Sequence, residues 1–448
     1  MKTDDAANQS VSALFLSALR KILVDPNRIK TGPDIVSSYV AVGARAPMIA
    51  AVVFPRTEEE IIAITALANN SGSALYSPIH EGLVPPRPGV VVDLSLMTKI
   101  VKIDTENLQA HIEPGVTFGR LQSELDGMKL RVLHPASAAF DSVLLTYLER
   151  EILFAANRHS NKQVAIVHSI LADGRVYRSG SHALPNANVS HREDGGPNIS
   201  KLLFQSKNCF GIPTLGVVNI YPRFEARKTF AWGFKTMQKA LGAARDISRR
   251  EYCSECFIAN AAKLARELKN LDSKSLPEWT VAIAIEGGAE LVDYFGGEAG
   301  KIASSGKNLN DDKKLSKQIS EAFESVWRAP ALNIAFYTTY DRLNEFERLI
   351  KKDLPKNMDS AALPRLFVPV KRAATFFAQY EFPAKRKGNK KIRDEIRTKC
   401  LEAGSFFNAP TGEFARQVFE KTGKYYETLK IWKNHIDKKN IMNTGQIL

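Results

Sequence analysis

Apolar residues along this chain fall by turns into short runs and into helical spacing. Ala50 to Val53 is an apolar run closed by Pro55. Thr57-Glu58-Glu59-Glu60 follows, with Thr57 in the N-cap position and Glu60 where a capping box needs its carboxylate. Ile61, Ile62, Ile64, Leu67 and Ala68 then give one apolar face, so a helix is predicted. Asn69 to Ser73 ends it, and Ala74-Leu75-Tyr76 returns as a strand, completing one α/β unit. Val90 to Leu94 has the composition of a buried strand, and Leu108, Ala110 and Ile112 alternate as one face of another. Val116 to Leu125 predicts a helix. Val164 to Ser179 predicts a hairpin turned at Asp173-Gly174. Residues 181–200 form a polar loop before a strand over Thr214 to Tyr221.

The character changes near Phe224. Lys228 to Leu271 is expected to be mostly helical, and Trp279 to Glu286 a strand. A helix over Lys313 to Arg328, a strand over Ala331 to Tyr337 and a helix over Tyr340 to Lys352 follow. Arg365 to Val370 and Thr375 to Tyr380 are further strands, and the last 48 residues read as helical. Ser10 to Val24 predicts a short amphipathic helix at the other end, interrupted by Arg20 and Lys21 and without a small-residue cleavage site. No later segment is long and uncharged enough for a membrane span, so a cytoplasmic protein is expected.

With 448 residues, 44% hydrophobic and 25% charged, the chain has room for two domains with ordinary cores. The net charge of +14 favours anionic partners. The densest basic stretch, Lys385 to Arg393, carries no interleaved aromatic residues, so nucleic acid is not expected. Four cysteines make no disulfide framework. Cys253 and Cys256 form a lone C-x-x-C in a segment read as helical, and Cys209 and Cys400 are not spaced as a second pair, so no metal site is expected. No G-x-G-x-x-G follows a strand and no G-x-S-x-G elbow occurs. Gly296 to Ile302 fails the phosphate-loop pattern, which leaves nucleotide-triphosphatase and hydrolase chemistry without an anchor.

An ordered series of short segments remains. Val53-Phe54-Pro55-Arg56-Thr57-Glu58-Glu59 opens it, followed by Val90 to Leu94 and Met97 to Val101. Ile112-Glu113-Pro114-Gly115-Val116-Thr117 comes next, then Ser142-Val143-Leu144 and Glu149-Arg150. Leu171-Ala172-Asp173-Gly174 with Gly180 to Pro185, and Phe204-Gln205-Ser206 with Gly211-Ile212, continue it. Asp437 to Gln446 closes it. In this order the segments resemble FAD-linked oxidoreductases of the vanillyl-alcohol oxidase and 4-cresol dehydrogenase type, over about 40–225 and 410–448. The resemblance implies an α+β protein. Its parts would be an N-terminal helical extension (1–40), a p-cresol methylhydroxylase (PCMH)-type FAD-binding domain (41–224), an inserted α+β cap (225–400) and a returning C-terminal segment (401–448).

The resemblance also implies FAD as cofactor and hydride transfer from a small alcohol, phenol or hydroxy acid. By position, cofactor contacts fall to Ser77, Pro78, Ile79, His80, Glu81 and Gly82 in a first loop, and to Pro135, Ser137, Ser142, Val143, Thr146 and Arg150 in a second stretch. Gly211, Ile212 and Asn443 complete them. Ser137 stands where one branch of the family has its catalytic acid. Arg416 stands near that branch's phenolate-binding Tyr-Arg pair, so both are catalytic candidates. Candidates for covalent flavin attachment are His80, His168, Tyr337 and Tyr340. Glycines normally let a backbone approach a pyrophosphate. Here the first loop keeps only Gly82, the second reads Ala138-Ala139-Phe140-Asp141, and Asp141 and Glu151 add negative charge. An alternative reading follows: a degenerate relative with weak or no FAD, acting as a structural or regulatory subunit. Either reading implies a homo- or hetero-oligomer, with an acidic electron-transfer subunit as a partner suited to the basic charge.

Overall fold

The computed structural model describes the chain apart from residues 1–10, 12, 41–47, 79–82, 84, 134–140, 150–162, 269–271, 324, 327–331, 357, 384–387, 409, 411 and 448. The protein is α+β, with its helices packed on three main sheets.

The first sheet has four strands in the order Ile29–Lys30, Ile49–Val53, Gly89–Val92, Ala74–Tyr76. The last three run parallel, in agreement with their continuous apolar runs and almost complete burial. The helix Glu58–Ser71 crosses between two of them. Its start is as expected, with the Thr57 side chain accepting from the Glu60 N–H. The Glu60 carboxylate reaches one residue further back than a capping box requires, to the Arg56 N–H at 2.7 Å, and takes both Arg28 Nη1 contacts at 2.7–2.8 Å. Gly72, at φ +71°, closes the helix in the left-handed conformation. Ile61, Ile64 and Ala68 pack with Phe15 and Leu19 of the N-terminal helix Ala13–Ile22 over this sheet.

The second sheet is antiparallel, ordered Ile100–Asp104, Gln109–Ile112, Ile212–Asn219, Val164–Ile170, Val176–Arg178. The Asp173-Gly174 hairpin closes it, with Gly174 at φ +85°. The Pro114-Gly115 turn shows why glycine stands there. A Cβ on Gly115 would lie 2.6–2.8 Å from the carbonyl oxygens of Met97, Leu94 and Ser95. Thr117 caps the helix Phe118–Asp126, which begins two residues later than the apolar pattern suggested.

The third sheet has seven antiparallel strands, ordered Lys307–Asn308, Ala226–Phe234, Trp279–Gly287, Glu255–Asn260, Arg365–Val370, Thr375–Glu381, Asn333–Thr338. Here the sequence reading needs correction. Residues 228–271 are not mostly helical: Ala226–Phe234 and Glu255–Asn260 are strands, and the helices are Met237–Arg249 and Ala261–Glu267. Both strands pair with Trp279–Gly287, the first over nine residue pairs, and that pairing overrides the local helical composition. Cys253 therefore precedes a strand and Cys256 lies on it, both fully buried. Burial pushes the Cys256 thiol well up, which suppresses redox reactivity.

The closing segment returns to the first sheet. Ile441 and Met442 are buried in the same cluster as Leu75, Val90 and Ile212. The Leu75 N–H donates to the Ile441 carbonyl at 2.7 Å, and the Asn443 N–H to the Leu75 carbonyl at 2.8 Å. The C-terminus thus lies alongside the Ala74–Tyr76 strand as a further parallel bridge. Among the described residues no helix is long and apolar enough to cross a membrane.

Candidate functional site

Four of the described cofactor candidates, Ser77, Gly211, Ile212 and Asn443, meet at one irregular segment, residues 204–212. Its backbone is unusual: Gln205, Lys207 and Asn208 all have φ between +52° and +55° without being glycine. Such conformations cost about 1 kcal/mol or more each and persist only where surrounding contacts fix them. Those contacts are on both sides. The Gln205 N–H donates to the Leu148 carbonyl at 2.8 Å, tying the segment to the helix Val143–Glu149. Asn208 Nδ2 donates to the Ser77 hydroxyl at 3.0 Å, tying it to the end of the Ala74–Tyr76 strand. Asn443 completes the junction. Its Oδ1 accepts the Ser77 N–H at 2.7 Å, while its Nδ2 donates to the Ser77 carbonyl at 2.9 Å and to the Lys207 carbonyl.

Ser77 and Asn443 are therefore brought together, but as a clamp. The same is true across the junction. The Ser142 hydroxyl donates to the Pro114 carbonyl at 2.5 Å and accepts the Leu145 N–H at 3.1 Å. The Val143 N–H donates to the Val116 carbonyl, and Thr146 is fully buried. Gly211 has no room for a side chain, since a Cβ would stand 2.4 Å from the Ser169 hydroxyl. Ile212 is buried in the core of the first sheet. Pro78 is the last described residue before the first loop. Ile79, His80, Glu81, Gly82, Pro135, Ser137 and Arg150 lie outside the described residues, as do the altered stretch 138–140 and Glu151.

Lys433, Asp437 and Cys209 support the junction from behind, and the sequence reading had not singled them out as a unit. Lys433 is buried, and its ammonium donates at 2.7 Å to Asp437 and to the Cys209 and Met442 carbonyls. Asp437 also accepts the Ile441 and Met442 N–H groups at 2.8 Å. Burial pushes the Cys209 thiol up to about 11, so it stays protonated. The usable signal was the i, i+4 spacing of Lys433 and Asp437 just before the closing motif.

Beside the junction lies a cleft of about 450 Å³. Tyr147 and Leu148 of the helix Val143–Glu149, with Gln163 and Val164 at the start of the second sheet, form its buried floor. Arg192, Lys201, Phe204 and Gln205 line one side. Tyr337, Lys371, Thr375 and Phe406, from the seven-stranded layer, line the other. Tyr147 donates its hydroxyl to the Leu133 carbonyl, and burial raises its pKa well above the ordinary value, so it remains neutral. Of the described covalent-attachment candidates only Tyr337 lines this cleft; His168 belongs to a separate histidine group on the second sheet. Arg416 is not brought here. It is exposed on the helix Gly412–Glu420, whose buried Phe414, Ala415 and Val418 face inward.

The chemistry of these described groups suits FAD. The junction fixes the chain at Ser77 and at Ser142, and the Asp437 carboxylate at the clamp is neutralised by Lys433. The cleft beside it offers amide and cationic donors to a molecule that meets the cofactor there.

Comparison with known proteins agrees. Residues 49–180 match the family model described as an FAD binding domain. The flavoprotein subunit of 4-cresol dehydrogenase from Pseudomonas putida is 29% identical over 149 residues, 32% of this chain and 27% of that protein. The glycolate oxidase subunit GlcD of Bacillus subtilis is 25% identical over 224 residues, 48% of this chain and 46% of that protein. The chain thus spans between about a quarter and a half of the length of these curated relatives. Solved structures match throughout. Substrate-bound p-cresol methylhydroxylase gives a TM-score of 0.80 at 18% identity, covering 99% of this chain and 98% of that one. The 4-ethylphenol oxidase of Gulosibacter chungangensis gives 0.77 at 18%, with the same coverage. Residues 49–180 are thus an FAD binding domain, and the chain as a whole has the fold of p-cresol methylhydroxylase.

Proposed function

We propose that the protein is an FAD-dependent oxidoreductase that oxidises a small alcohol, phenol or hydroxy acid. The observation that carries this is the position of the cleft. It opens directly beside the segment 204–209 and the helix Val143–Glu149, which hold the ends of the cofactor loops. A molecule in the cleft would therefore meet whatever those loops hold. When bound, FAD supplies the hydride acceptor, and the protein's work is positioning and exclusion of water. Phe204, Phe406 and Leu148 supply apolar surface to a substrate, and Gln163 and Gln205 supply amide groups that can orient its oxygen. The match across 49–180 runs through both altered loops, which favours this reading over a cofactor-poor subunit. Assembly with an electron-accepting subunit belongs to the same proposal, and rests on the relative described as a flavoprotein subunit and on the net charge of +14.

The test is a visible spectrum of the purified full chain, followed by anaerobic addition of 4-methylphenol, benzyl alcohol, glycolate or lactate. Flavin absorbance near one per chain, bleached by one of these classes, is expected. Colourless protein that takes up no FAD on reconstitution would end the proposal.

A further inference from the structure

Three cations from separate segments converge on the cleft. Arg192 comes from the loop after the second sheet's hairpin, Lys201 from the 3-10 turn Ile199–Leu203, and Lys371 from the turn joining Arg365–Val370 to Thr375–Glu381. None of the described lining residues is Asp or Glu. Lys201 and Lys371 are exposed at the mouth, while Tyr147, Leu148 and Val164 are buried beneath them. The cleft therefore runs from a cationic rim to a largely apolar floor.

The turn that carries Lys371 is unusual. Lys371, Arg372 and Ala373 are consecutive non-glycine residues with φ of +51°, +60° and +55°. L-residues avoid this region because Cβ crowds the following carbonyl. The conformation is held from both sides. Arg372 Nε donates to Glu251 at 2.7 Å, and Ala373 is buried in the core of the seven-stranded layer. A strained turn pinned at its second and third positions fixes where its first residue emerges, and that residue is the lysine on the cleft. Cation–π contact of Arg192 with Phe204, at 5.6 Å, fixes the opposite rim.

We infer that this cleft takes a ligand with an apolar body and an oxyanion head group, seated between Lys201, Lys371 and Arg192. This deepens the proposed function by naming the class of substrate, and it rests on that reading for the claim that the ligand is turned over. A carboxylate and a phosphate monoester share the recognising chemistry.

Calorimetric titration of the full chain with benzoate, phenyl phosphate and benzyl alcohol tests the inference without turnover. At low salt at least one anion should bind ~10-fold or more tightly than benzyl alcohol, and the advantage should shrink as salt is raised. Whichever anion binds tighter identifies the head group. Lys371→Gln and Lys201→Gln should each weaken that anion roughly 3- to 10-fold while leaving benzyl alcohol unchanged. A circular dichroism melt of each variant guards against misfolding, and Arg372→Gln, which loosens the turn but keeps Lys371, should weaken the anion by a smaller factor. Equal binding of the neutral and anionic probes, or anion binding indifferent to both lysine variants, would overturn the inference. Its failure is separable from that of the proposed function. A yellow protein that oxidises only neutral substrates sinks the first alone, and a colourless protein that still binds benzoate through Lys371 sinks the second alone.

Discussion

Asn443 holds Ser77 by both faces of its backbone: the side-chain oxygen takes the Ser77 N–H at 2.7 Å and the side-chain nitrogen gives to the Ser77 carbonyl at 2.9 Å. The two residues are 366 positions apart, so the closing segment fixes the chain at the end of the Ala74–Tyr76 strand. Asn443 itself sits at φ +40°, a conformation asparagine tolerates better than most residues. Asn443→Ala should leave the Ser77 amide and the Lys207 carbonyl buried and unsatisfied, at a cost of about 2 to 4 kcal/mol. The expected result is a lower melting temperature together with a lower flavin-to-protein ratio. A stable variant that keeps its full flavin content would show that the clamp does not govern the loop.

Gly115 tests the scaffold between the Pro114 and Val116 carbonyls that hold Ser142 and Val143. Its missing Cβ is required by the carbonyls of Met97, Leu94 and Ser95, all backbone atoms that cannot swing aside. Gly115→Ala should cost ~1 to 3 kcal/mol from overpacking, seen as a shifted urea midpoint. Gly127→Ala, where nothing lies within 4 Å of the added carbon, is the matched control and should shift it little.

The sequence made most strands of the first two sheets legible because their signals are local, but not Ile29–Lys30 or Ile100–Asp104. Thr57 before Glu60, Gly72 after the helix and Asp173-Gly174 in the hairpin each act within a few residues; Thr57 and the hairpin turn act as read, while the Glu60 carboxylate takes the Arg56 N–H instead of that of Thr57. The strand Ala226–Phe234 was missed because its identity comes from pairing with Trp279–Gly287, some fifty residues away, and not from its own Lys- and Arg-containing start. The clamp was half legible. The closing motif pointed to Asn443, but the role of Lys207 and Asn208 depends on their left-handed backbone, which no side-chain pattern announces. The cleft was not legible at all, since its rim is assembled from Arg192, Lys201 and Lys371 on three unconnected segments.

Arg131 and Glu286 latch the layer of the second sheet to the seven-stranded layer. Arg131 pairs with Tyr221 in a two-stranded ribbon and donates from both terminal nitrogens to the Glu286 carboxylate at 2.9 and 3.0 Å. Arg227 adds a third contact at 3.2 Å, and Arg131 stacks over Phe224 at 4.6 Å. Glu286 is largely buried, so Glu286→Ala strands Arg131, while Arg227 keeps Glu255 at 2.8 Å, and should destabilise by about 2 to 3 kcal/mol. The double variant Arg131→Met with Glu286→Leu removes both partners and should recover most of that loss in a denaturation experiment. If the double variant is as unstable as the single, the pair is not coupled and the latch is wrong.

A histidine group on the second sheet sets an acid limit to stability. His168 Nε2 and His182 Nδ1 lie 3.0 Å apart, His182 Nε2 lies 3.0 Å from the Ser190 hydroxyl, and the His111 ring stands 6.0 Å from His182. Burial, then His182, Arg178 and His111, push His168 down to about 4. Burial also lowers His111 and His182, with Lys102 adding to the first, Asp104 opposing it, and Arg178 adding to the second. In the unfolded chain a histidine titrates near 6.5. Between about 6.5 and 4 the unfolded state therefore binds protons that the folded state refuses, and stability must fall as pH falls through that window. Partial exposure screens the effect, so the loss credited to His168 is about 1 to 2 kcal/mol. The melting temperature should be level above pH 7 and decline from about 6.5 towards 4. His168→Gln, which can keep a hydrogen bond without taking a proton, should flatten that decline. An unchanged slope in this variant would assign the acid sensitivity to the carboxylates instead.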